Sequence, residues 1–120
     1  MKFEQIGLGG LTAELSRLKD ILEDLGFVLA GQWDYERVTF DRKFEHKGDV
    51  YYLRIQGYAI EGDVGSRYAL IKLLTPILGK HYYPHGVEYG EDEHFPSTIV
   101  STCEELLKKA KEAIESLQEK

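Results

Sequence analysis

The side chains with most chemistry to offer in this chain of 120 residues crowd into one stretch, Thr75 to Phe95, TPILGKHYYPHGVEYGEDEHF. It holds three of the four histidines (His81, His85, His94), three tyrosines (Tyr82, Tyr83, Tyr89) and four acids (Glu88, Glu91, Asp92, Glu93). Imidazoles beside carboxylates could ligate a divalent metal or relay protons. His81 and His85 have the i,i+4 spacing of a helical ligand pair, with His94, Glu88 and Asp92 near enough in sequence to complete a shell. Pro84 stands between them. Proline removes a backbone donor and disfavours helix at Tyr83, so the two imidazoles would have to converge through loop geometry. A catalytic acid needs a shifted pKa, whereas consecutive acids on a breaker-rich loop are usually solvated. The spacing fixes no reaction, and the expectation is no catalytic residue, no metal and no cofactor.

Chemistry elsewhere is equally thin. Ile6-Gly7-Leu8-Gly9-Gly10-Leu11-Thr12 stands where a dinucleotide-binding fingerprint would, and Asp34 ends the next strand. The third small position is Thr12, however, Lys2-Phe3-Glu4-Gln5 is too polar for a buried parallel strand, and no further βαβ unit follows. The segment reads as a flexible N-terminal loop. Cys103 falls on an apolar helical stripe and reads as a small core hydrophobe rather than a nucleophile. Lys108, Lys109 and Lys111 alternate with Glu104, Glu105, Glu112 and Glu115, giving i,i+4 pairs on a solvated helix face.

The elements that must position these groups are clear from periodicity. Leu11, Leu15, Leu18, Leu22 and Leu25, widened by Ile21, predict an amphipathic helix that Thr12 can cap and Gly26 can end. From Phe27 to Tyr35 the period becomes two, and a second strand follows through Val38, Phe40 and Phe44, with Arg42 interrupting its apolar face. His46-Lys47-Gly48-Asp49 is a turn. Beyond it Tyr51, Leu53, Ile55 and Ala59 alternate with Tyr52, Arg54, Gln56 and Tyr58, and after Gly62 to Ser66 a fourth strand runs from Tyr68 to near Thr75. Ile99, Cys103, Leu106, Leu107, Ala110, Ile114 and Leu117 predict a long final helix, with Ser101 and Glu104 at capping-box spacing. Short turns make the sheet antiparallel. The expected fold is a single α+β domain over 1–120: a meander of four to five strands flanked by an N-terminal and a long C-terminal helix.

If both helices pack on one side of that sheet, the other face is left for a ligand, the 75–95 loop or a second subunit. The first expectation is therefore a non-enzymatic module that dimerises or binds a partner through Trp33, Tyr35, Tyr52, Arg54 and Tyr58 beside the 75–95 loop, Arg54 being the charged anchor. The rival is an enzyme or small-ligand protein with Asp34, Arg54, His81 and Tyr83 converging between sheet and loop. A net charge of −6 opposes nucleic acid and anionic membrane as partners. The lone cysteine and the absence of an apolar leader or membrane-length run point to the cytoplasm.

Gly26-Phe27 and Gly31-Gln32-Trp33-Asp34-Tyr35, Tyr52-Leu53-Arg54-Ile55 before Glu61-Gly62, and Thr75-Pro76 followed by His81, Tyr83 and Gly86 occur in one order. On these motifs most of the chain resembles the YugN-like family, small uncharacterised proteins of Bacillus and its relatives. The resemblance implies an α+β fold and a bacterial cytosol and brings no activity with it. His85 and the acids after Tyr89 stand outside that pattern, which shifts weight within the loop to Thr75, Pro76, His81, Tyr83 and Gly86.

Overall fold

The computed structural model describes residues 1–30, 35–65, 68–82, 86–89 and 94–118. After a short 3-10 turn at Glu4–Ile6, the elements are β1 (Thr12–Glu14), α1 (Leu15–Asp24), β2 (Val28–Leu29), β3 (Arg37–His46), β4 (Asp49–Gly62), β5 (Ala69–Leu73), β6 (Ile77–Tyr82), β7 (Gly86–Glu88) and α2 (Ser97–Leu117). All seven strands join one antiparallel sheet, in the order β1-β5-β4-β3-β2, with β6 on β4 and β7 on β6. The meander is β2 through β5. The sheet exceeds the expected four to five strands because the chain recruits β1, β6 and β7.

The centre of the sheet is the β3–β4 hairpin. Lys47 and Gly48 both have positive φ, +50° and +86°, the two-residue turn whose twist matches the flanking strands. His46 therefore faces Asp49, and every later pair follows. Strand β4 is long enough to hold two partners along one edge: β5 pairs with Gly57 to Gly62 and β6 with Tyr51 to Arg54. Between β5 and β6 lie Leu74, Thr75 and Pro76, and Pro76 has no N–H to offer a ladder. Its carbonyl accepts from the Phe3 N–H, so the N-terminal segment is pinned at this break, as is Gly10, whose N–H donates to Leu73. The expected flexible N-terminal loop is thus held by backbone hydrogen bonds.

Helix α1 begins at Leu15 rather than Thr12. Thr12, Ala13 and Glu14 are drawn onto the edge of β5, and Glu14 caps the helix instead, accepting from the Ser16 N–H and hydroxyl. Pairing with an existing edge has overridden helical periodicity by one turn. Gly26 ends the helix as expected, at φ +91°. Pro96 stands at the N-cap of α2, so Ser101 and Glu104 lie inside that helix rather than at its start. The ion pairs expected from Glu104 to Lys108 and Glu105 to Lys109 do not form among the described residues.

Both helices cover one face of the sheet. Leu18 and Leu22 of α1 and Ile99, Cys103, Leu107, Ala110 and Ile114 of α2 pack with Val38, Phe40, Leu53, Ile55, Ile71, Leu73 and Leu78 in one buried core. Arg42 points into this layer yet is satisfied. Its Nε donates to the Leu25 carbonyl at the end of α1, 3.1 Å away, and its guanidinium lies 4.6 Å from the Phe44 ring centroid.

Candidate functional site

The face away from the helices carries every second residue of the strands. Register places Val28, Asp41 and Arg54 in one row across β2, β3 and β4, with Ile77 of β6 beyond. The next rows on this face are Thr39 and Gln56, then Arg37, Tyr58 and Lys72; on the other side Tyr52 sits opposite Gly79. The expected wet face of β4, Tyr52, Arg54, Gln56 and Tyr58, is found there.

Arg54 is the electrostatic centre of this face. Its Nε and Nη2 hold the two carboxylate oxygens of Asp41 at 2.8 and 3.0 Å, a fork-to-fork pair with both side chains largely sheltered. The hydrogen bonds to Asp41 raise the guanidinium pKa above its ordinary value, against a smaller opposing effect of burial. Arg54 also lies 5.2 Å from the centroid of the Tyr89 ring. Tyr89 in turn covers Gly79, where a Cβ would stand 2.6 Å from two of its ring carbons. Only glycine lets the tyrosine lie this close to the strand. Burial pushes the Tyr89 phenol up in pKa, and its hydroxyl is buried without a hydrogen-bond partner. Leaving such a group unpaired costs about 1–3 kcal/mol.

The stretch expected to be a loop is instead a β-hairpin for much of its length. Strands β6 and β7 place His81 opposite Val87 and on the same face as Tyr52, with which its ring makes an edge contact at 6.4 Å between centroids. His81 and Arg54 therefore share a face, bridged by Tyr52. They do not share either concavity whose lining is described beside them: His81 lines one of about 320 Å³ with Asp49, Lys80 and Tyr82. A larger one, about 620 Å³, opens over Thr39, Gln56 and Tyr58 toward the opposite end of β4. Among the described residues no group of three His, Cys, Asp or Glu side chains is placed to hold a metal. Tyr35 is exposed, with its ring against Gly65. Trp33, Asp34, Tyr83 and His85 lie outside the described residues.

Sequence reasoning did not single out Asp41, Tyr89, Gly79 or Leu74. Asp41 was recoverable, since a two-residue turn at Lys47-Gly48 puts it opposite Arg54 by counting back along both strands. Tyr89 and Gly79 meet only through β6–β7 pairing, for which the polar, proline-containing sequence gave no periodic signal.

Cys103 is fully buried on α2, and desolvation pushes its thiol pKa up from 9.0 to about 12. The neutral thiol is the folded form, so its stabilising effect is complete below pH 9 and is lost as pH rises from 9 toward 12, where the unfolded chain ionises first. A disulfide reagent at pH 8 should label Cys103 no faster than the chain unfolds, and at once in denaturant; rapid labelling of the native protein would contradict this burial.

Comparison with known proteins agrees with this architecture. The YugN-like family model matches residues 5–116. The uncharacterised protein YlbA of Bacillus subtilis (strain 168) is 53% identical over 118 residues, 98% of each chain. The uncharacterised protein YugN of the same organism is 27% identical over 81 residues, 68% of this chain and 60% of its own length. The crystal structure of the uncharacterised conserved protein YugN from Geobacillus kaustophilus HTA426 superimposes with a TM-score of 0.88. It is 64% identical and covers 100% of this chain and 99% of that one.

Proposed function

The chain belongs to the YugN-like family, and we propose that it serves as a cytoplasmic interaction module that pairs with a second copy of itself through the helix-free face of its sheet. The observation that carries this reading is where large apolar side chains remain in solvent. Val28 (68% exposed), Tyr58 (37%), Tyr68 (47%) and Leu74 (45%) all belong to that face by strand alternation. They span it from β2 to β5 and leave no helix to cover them. Four large apolar side chains exposed on one uncovered sheet face, set among Thr39, Gln56 and the Arg54–Asp41 pair, give that face the mixed character of an interaction surface.

A second copy is the occupant that the face suits best. The molecule extends 41 × 29 × 22 Å along its principal axes. A sheet face on a molecule of this size has room for the roughly 800 Å² per partner of a standard interface. Its central charges are already neutralised by the Arg54–Asp41 pair, so covering it strands no unpaired ion there. A lone, buried thiol and the absence, among the described residues, of a helix long and apolar enough to cross a membrane are compatible with the cytoplasmic setting.

Light scattering of the purified protein at tens of micromolar should return the mass of two chains. Val28→Glu and Leu74→Glu, both at exposed positions, should each return one chain while the circular dichroism spectrum is kept. A monomeric parent, or folded variants that remain dimeric, would overturn the proposal.

A further inference from the structure

The 620 Å³ concavity on the helix-free face is a candidate binding site built within one chain, and its lining residues Tyr58 and Leu74 also belong to the surface proposed for self-association, which would cover it. Its floor is the row formed by Thr39 and Gln56, which face each other across β3 and β4. Both side chains are half-buried, and among the described residues neither makes a side-chain hydrogen bond. A hydroxyl and a primary amide each donate and accept, so side by side in a cleft they can meet a ligand that supplies both functions. Tyr58 and Leu74 flank this floor and keep much of their apolar surface in solvent. Glu36 and Arg37 line the cavity with one charge of each sign, so it carries no net charge to select an ion. A volume of this size lies within the range of small-molecule sites, about 300–1,000 Å³.

We infer that this cleft binds a neutral, planar heterocycle presenting an amide-type edge, with its donor and acceptor on Thr39 and Gln56 and its ring against Tyr58 and Leu74. The edge reads the hydroxyl–amide row as a paired strand would, and the flat body fits between the aromatic ring and the leucine. Glu36 and Arg37 set the polarity of the rim.

Uracil is a minimal probe of this chemistry, and 1,3-dimethyluracil is its counterpart without N–H donors. Titrated into isotope-labelled protein, uracil should shift the resonances of Thr39, Tyr58 and the Gln56 side-chain amide saturably. A ligand of this size should bind with a Kd of roughly millimolar order. The dimethyl analogue should bind about tenfold more weakly, and so should uracil to the near-isosteric variants Thr39→Val and Gln56→Leu. The same titration on Val28→Glu, whose substitution lies outside the cleft, separates a covered site from an absent one. Saturable shifts at these residues in either protein, with the donor dependence, support the inference. No saturable shift in both, equal affinity for the dimethyl analogue, or binding unchanged by Gln56→Leu would overturn it.

Discussion

Gly62→Ala should lower the stability of this protein by roughly 3 kcal/mol, a large loss for a single methyl group. Two effects act at this position. Gly62 has φ +68°, a conformation that costs an L-residue about 1–2 kcal/mol. A Cβ there would also collide with the Tyr68 carbonyl oxygen and stand 3.3 Å from the Ala69 Cα. Those are main-chain atoms and cannot rotate away, and Gly62–Ala69 is the pair that opens the β4–β5 ladder. Relief therefore means moving the start of β5, which carries the buried Ile71 and Leu73 into the core. Gly48→Ala is the control. Its φ is +86° but nothing lies within 4 Å of its Cβ position, so it should cost only about 1 kcal/mol. Urea denaturation of the two variants measures the contrast; equal losses would mean that the Tyr68 contact carries no energy.

The same two turns explain what could be read without a structure. Gly62 to Ser66 and Lys47-Gly48 are local signals, and local signals in short hairpins determine long-range register. Alternation then sorts Tyr51, Leu53 and Ile55 from Tyr52, Arg54 and Gln56 correctly. What escaped reading depends on competition between elements. Thr12 to Glu14 have a helical context, yet β5 presents an open edge that they complete. The segment after Thr75 looks like loop because Pro76 and Pro84 punctuate it, yet the first half of β4 has an edge left vacant by β5, and β6 fills it. No single-segment pattern contains that vacancy. His81 is accordingly a strand residue beside Tyr52, while the central charges of the face are the Arg54–Asp41 pair beside Tyr89.

Asp41→Ala should break the central ion pair and lower stability by about 2 kcal/mol. The carboxylate occupies both prongs of the Arg54 guanidinium, and without it Arg54 stays charged, partly sheltered under Tyr89 and unpaired. The reverse substitution, Arg54→Met, leaves the Asp41 carboxylate on β3, no more exposed than the guanidinium, without its partner. The loss should therefore be of similar size, about 2 kcal/mol. The double variant Asp41→Ala/Arg54→Met removes both charges and keeps an apolar chain under the Tyr89 ring, so it should be more stable than Asp41→Ala alone. Chemical denaturation of all four proteins closes the cycle, and a coupling of about 2 kcal/mol in favour of the pair is expected. Additive losses would show that each side chain acts separately and that the fork contributes only geometry. With the coupling present, Arg54 is a fixed part of the face, holding Asp41 and Tyr89 in place. In the proposed pairing, contacts with the second copy fall to the exposed Val28, Tyr58, Tyr68 and Leu74 around it.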